Sequence, residues 1–147
     1  MSDYLDPANE ELLKDFFDEA SLQVDLFEQN ILALEKNASD RDAIDEIFRA
    51  AHTLKGAAAT VQMQELAGFT HIVEDSLDEV RSGNSAATPR AVEALLQSID
   101  AIKLMLIARK AGDVYENEPL ELIAELREAV GLTGENASVP APLPAPL

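Results

Sequence analysis

Apolar residues recur along this chain at steps of three and four, and no segment shows the sustained alternation of a strand. Leu12, Leu13, Phe16, Phe17, Ala20, Val24, Phe27, Ile31 and Leu34 form the first such series. On a helix of 3.6 residues per turn they fall on one face, which needs a partner surface to bury it. The spacing predicts a first helix over 7–36, with Asp6 as its cap and Pro7 at its first position. Asn37-Ala38-Ser39-Asp40 reads as a turn. A second helix is expected over 40–60, with Ile44, Ile47, Phe48, Ala51, Leu54 and Ala58 inward. A third is expected over 64–82, built on Leu66, Phe69, Ile72, Val73, Leu77 and Val80. Gly83 is placed to end it in a left-handed conformation.

Thr88-Pro89 is a cap followed by a proline at the first turn. It opens a fourth expected helix that runs to 110 through Val92, Leu95, Leu96, Ile99, Ile102, Leu106 and Ile107. A shorter fifth helix is expected over 119–130. Four long helices with short connections predict an all-α fold, an up-down-up-down antiparallel four-helix bundle with an additional shorter C-terminal helix. Alanine and aliphatic residues dominate, and tryptophan is absent, a composition suited to helices packed closely together. After Gly131 prolines alternate with small residues up to Leu147. Proline at that density opposes helix and favours extended chain. Residues 1–131 are therefore expected to form one domain, and 132–147 a Pro/Ala-rich linker.

Charge narrows the partners. Twenty-eight acidic residues against eleven basic ones give −17. Nucleic-acid binding needs a basic patch, and anionic lipid repels such a surface. There is no cysteine, so disulfides, thiolate zinc sites and cysteine nucleophiles do not enter. The most apolar stretch, 101–108, is too short to span a bilayer, and the first residues are acidic rather than signal-like. A cytoplasmic protein without direct membrane insertion is expected.

His52 carries the chemistry. On the second helix it falls just outside the apolar stripe, with Lys55 and Gly56 beside it at i+3 and i+4. On the third helix His71, Glu74 and Asp78 share a flank. If these helices are antiparallel neighbours, His52, Lys55, His71 and Glu74 meet at the rim of the core. Neutral imidazole has one bare nitrogen and one N–H. A carboxylate that accepts from the N–H fixes the tautomer and raises the basicity of the other nitrogen, and Glu74 is the candidate. Lys55 is a compact cation suited to an incoming phosphoryl group. His71 is a further hydrogen-bonding group, and Gly56 leaves room for a partner.

The stretch 48–57, FRAAHTLKGA, followed by 71–83, HIVEDSLDEVRSG, resembles the histidine phosphotransfer (HPt) domain at the amino terminus of CheA-type chemotaxis histidine kinases. The resemblance covers nearly the whole chain. It implies that His52 accepts a phosphoryl group from ATP through a separate histidine kinase catalytic domain. His52 then passes the group to an aspartate of a chemotaxis response regulator receiver domain. Lys55, His71 and Glu74 match the supporting network. ATP and Mg²⁺ are expected in the kinase domain and no cofactor in this one, so the module is not an enzyme by itself. This chain departs from the family in one place. The turn between the second and third helices usually holds a glycine, where Thr60-Val61-Gln62-Met63 stands here. Two other classes fit a helical bundle with these residues. One is a metal site using His52, His71, Glu74 and Asp78, although the paired Glu-x-x-His motifs of di-metal bundles are missing. The other is a non-catalytic helical adaptor.

Overall fold

The computed structural model describes residues 10–83 and 86–131. Five helices and no strand occur among them: α1 (Glu10–Lys36), α2 (Arg41–Thr60), α3 (Gln64–Arg81), α4 (Pro89–Lys110) and α5 (Leu120–Ala129). The expected cap at Asp6, the start at Pro7 and the linker over 132–147 lie outside the described residues.

Local chemistry sets the helix ends. The Asp40 carboxylate accepts from the Ala43 N–H at 3.1 Å and caps α2. Thr88 Oγ1 accepts from the Ala91 N–H at 3.1 Å and caps α4, with Pro89 next. Glu10 and Glu11 open α1 and Lys36 closes it, each with the sign that complements the helix dipole. Gly83 takes φ +88° just after α3, a conformation glycine adopts without steric cost.

Short connections turn each helix back on the last. α1 packs on α2 and α4, α3 also packs on α2 and α4, and α5 lies against α4 and α3. The fold is the antiparallel four-helix bundle with its short extra helix. Phe27, Ile31, Ile47, Leu54, Leu66, Leu77, Ile99 and Ile102 fill the centre at 3% exposure or less. Each contributes about 1.5–3 kcal/mol by leaving water. Two expected inward positions turn outward: Leu12 is 49% exposed and Ile107 63%. The inward face of α1 is set by Phe16, Ala20 and Phe27, and that of α4 by Leu95, Ile102 and Met105. Leu12 and Ile107 lie beyond the edges of those faces.

The α2–α3 turn holds a backbone conformation that its sequence does not favour. Gln62 has φ +64°, the left-handed region in which a Cβ crowds the following carbonyl at about 1–2 kcal/mol. The geometry that suits glycine is kept with an exposed glutamine in place. Gln62→Gly should therefore raise stability by about 1 kcal/mol, the steric relief less glycine's larger unfolded-state entropy. The check is a melting curve, where the gain appears as a rise of about 4 °C. A fall in melting temperature would mean that the Gln62 side chain makes a contribution larger than the strain.

Candidate functional site

The pairing of α2 with α3 builds a cluster at the rim of the core. His52 lies on the outer flank of α2, its side chain 64% exposed. Glu74 lies on α3 next to the buried Val73, and its side chain is only 9% exposed. His52 Nδ1 stands 2.5 Å from Glu74 Oε2. Lys55, one turn further along α2, places Nζ 2.5 Å from Glu74 Oε1. That second contact is an ion pair rather than a directed hydrogen bond, since Oε1 has no hydrogen bond of standard geometry among the described residues. One carboxylate thus faces two groups, with one oxygen for each.

Electrostatics keeps the Glu74 carboxyl charged. Burial pushes the Glu74 carboxyl up, but Lys55 and then His52 outweigh it and hold it below the usual carboxylate range. A charged Glu74 accepts the N–H of His52 at Nδ1, so the bare nitrogen is Nε2, on the far side of an exposed ring. Glu74 also places a negative charge beside the ring, opposite to the positive charge that develops there when Nε2 attacks an electrophile.

His71 stands apart from the cluster expected for it. Its Nε2 lies 3.7 Å from Asp75 Oδ1, both side chains are exposed, and no hydrogen bond or ion pair joins it to His52 or Glu74. A step of three residues turns a helix by about 300°, which leaves His71 roughly 60° further from the core than Glu74. Partial desolvation of its exposed carboxyl raises the pKa of Asp75, while His71 lowers it and Glu74 raises it again. Asp78 points to Arg81 at 3.2 Å. A Cβ added at Gly56 would meet nothing within 4 Å, so the packing of the chain itself does not require a glycine there. Among the described residues no three His, Asp or Glu side chains converge as metal ligands, and no helix is long and apolar enough to cross a membrane.

The surroundings of His52 have two further members that local spacing does not mark, Phe48 beside it and Arg81 over Phe48. The Phe48 ring lies one turn before it, with planes 12° apart and centroids 6.4 Å apart. The Arg81 guanidinium from α3 sits over that ring, 4.1 Å from its centroid. A part-buried ion pair braces the other end of α3. Glu65 receives both Nε and Nη2 of Arg109 at 2.6 Å, and although burial raises its pKa, Arg109 brings it below the usual range.

The depressed carboxyls make stability pH-dependent. A group whose folded pKa is lowered stabilises the fold above its ordinary value, here 4.5, and loses that contribution as pH falls through the lowered value. Asp75, raised, acts in the opposite sense. The melting-temperature advantage of the wild type over Glu74→Gln should therefore shrink between about pH 6 and about pH 3. A constant difference would show that the Glu74 charge has no net interaction with Lys55 and His52.

The Hpt domain family model matches residues 11–105, which include His52, Lys55 and Glu74. This chain belongs to the Hpt domain family. Relatives of this Hpt domain include the chemotaxis protein CheA of Treponema pallidum (strain Nichols). It is 55% identical over 134 residues, or 91% of this chain and 16% of that protein. The chemotaxis protein CheA of Borreliella burgdorferi is 50% identical over 124 residues, or 84% of this chain and 14% of that protein. The chain therefore spans about one sixth of the length of these relatives. Among solved structures, it resembles the phosphorylated P1 domain of CheA3 in complex with CheY6 from R. sphaeroides. That match has a TM-score of 0.76 and 26% identity, covering 82% of this chain and 96% of the other. The solution structure of the histidine phosphotransfer domain of CheA matches with a TM-score of 0.71 and 27% identity, covering 86% and 96%.

Proposed function

We propose that this Hpt domain is the phosphotransfer module of a chemotaxis histidine kinase, with His52 as the acceptor. The observation that carries the reading is an exposed imidazole whose Nδ1 is 2.5 Å from a buried carboxylate. Nε2 attacks the γ-phosphorus of ATP held by a separate kinase domain. A P–N bond forms, the bond to the bridging oxygen breaks, and ADP leaves with that electron pair. The ring becomes a phospho-imidazolium that keeps its Nδ1–H on Glu74. Lys55 neutralises the buried carboxylate and lies close enough on α2 to screen phosphoryl charge. In the second step the P–N bond breaks and a receiver aspartate takes the phosphoryl group, with Mg²⁺ supplied by the receiver.

The receiver docks over the exposed edges of α1 and α2 around His52. Gly56 supports this surface, because an interior helical glycine costs about 1 kcal/mol relative to alanine and nothing in the chain fills the space beside it. His71 and Asp75 form a polar margin of the same site. Residues 132–147 serve as the linker to the kinase domain, and the whole assembly works in the cytoplasm. The R. sphaeroides P1 domain, phosphorylated and in complex with CheY6, supports the receiver as a partner, and the CheA relatives support the kinase domain. The test is incubation with ATP, Mg²⁺ and a CheA-type kinase domain, then addition of a receiver. Acid-labile label that appears on this chain and moves to the receiver is the expected result; a helical adaptor would acquire no label.

A further inference from the structure

The structure assigns to Phe48 the role of a positioning residue for His52, held in place by Arg81. One hydrogen bond to Glu74 fixes Nδ1 but leaves the imidazole free to swing about that contact, and a ring 64% exposed has few other neighbours to stop it. Phe48 supplies the missing constraint. It is half-buried one helical turn away, with its ring plane within 12° of the imidazole plane at an offset of 6.4 Å, within the range of aromatic pairs that prefer offset stacking. Its own orientation is set from α3. The Arg81 guanidinium caps the ring at 4.1 Å, a cation–π arrangement. Asp78 steadies Arg81 through a 3.2 Å hydrogen bond. Arg41, at the start of α2, donates to the Arg81 carbonyl at 2.8 Å and ties the two helix ends together. A plane for the ring and an anchor for Nδ1 together aim Nε2 in one direction, which in-line transfer requires.

The consequence for phosphorylation rests on the function proposed above; the consequence for the ring does not, so two measurements are paired. Phe48→Leu keeps apolar bulk without a flat face, and Phe48→Tyr keeps the face. The first measurement is NMR of the His52 ring in the chain alone, with ring mobility read from ¹³C–¹H relaxation and the tautomer from ¹⁵N shifts. Phe48→Leu should keep the Nδ1–H tautomer, which Glu74 sets, but gain ring mobility while its melting temperature stays close to that of wild type, and Phe48→Tyr should keep the wild-type mobility. The second is the rate of phosphorylation by a CheA-type kinase domain with ATP. Phe48→Leu should lower kcat about tenfold with KM unchanged, the scale of a modest misalignment of the reacting group, and Phe48→Tyr should restore it. Wild-type ring mobility in Phe48→Leu would overturn the assignment. So would a loss confined to KM, which would make Phe48 a docking contact. If no variant and no wild type is labelled, the phosphotransfer reading fails while the NMR comparison still decides the positioning role.

Discussion

His52→Gln should abolish acid-labile phosphorylation and leave the bundle folded. The argument rests on where the ring stands. Its side chain is 64% exposed and belongs to no part of the core, so its removal forms no cavity. The substituted amide can still donate an N–H to Glu74, which keeps the buried carboxylate paired. The stability change should fall within about 0.5 kcal/mol, the range of surface substitutions. The loss of label should be complete, because an amide nitrogen has no basic lone pair with which to attack phosphorus. Phosphorylation is followed with radiolabelled ATP and a kinase domain, and folding by circular dichroism on the same sample. Label that persists at His71 or elsewhere would move the acceptor away from the α2 flank.

Glu74→Ala should slow phosphorylation by about 10- to 100-fold without abolishing it. The nucleophile survives and its orientation does not, a loss of the size seen when the hydrogen-bond partner of a functional histidine is removed. Without the carboxylate either nitrogen can carry the proton, and the positive charge that forms on the ring has no counter-charge. Lys55 does not become a stranded buried cation, since it is already 28% exposed and its stem can carry the ammonium into water. The rate effect should therefore exceed the stability effect. Glu74→Gln separates the two contributions of the carboxylate. Its amide oxygen can still accept from Nδ1, so it should recover part of the rate, and it carries no charge. An unchanged rate for Glu74→Ala would show that the 2.5 Å contact has no part in the transfer.

The helices were legible because their signals are local. The apolar series, the Thr88-Pro89 start and the glycine at 83 act within a few residues, and α4 begins and ends where they indicate. The bundle follows from short connections between long amphipathic rods. His52 and Glu74 were also legible, since antiparallel packing of two flanks brings them together. What escaped the sequence depends on rotation angle and on pairing between helices. His71 shares a flank with Glu74 on paper, yet lies far enough round α3 to meet Asp75 instead. Phe48 reads as an ordinary core position, and only the approach of Arg81 from α3 gives its ring a second use. The Glu65–Arg109 pair joins α3 to α4 and leaves no trace in local spacing. Gln62 shows the converse: the missing glycine was visible, while retention of the left-handed turn is enforced by the helices on either side of it.

The most direct test is to phosphorylate the chain and locate phosphorus on the ring by ³¹P–¹⁵N correlated NMR. The structure predicts a single species, with phosphorus on Nε2 of His52 and a proton retained on Nδ1 toward Glu74. Phosphorus on Nδ1, or on the ring of His71, would contradict the account.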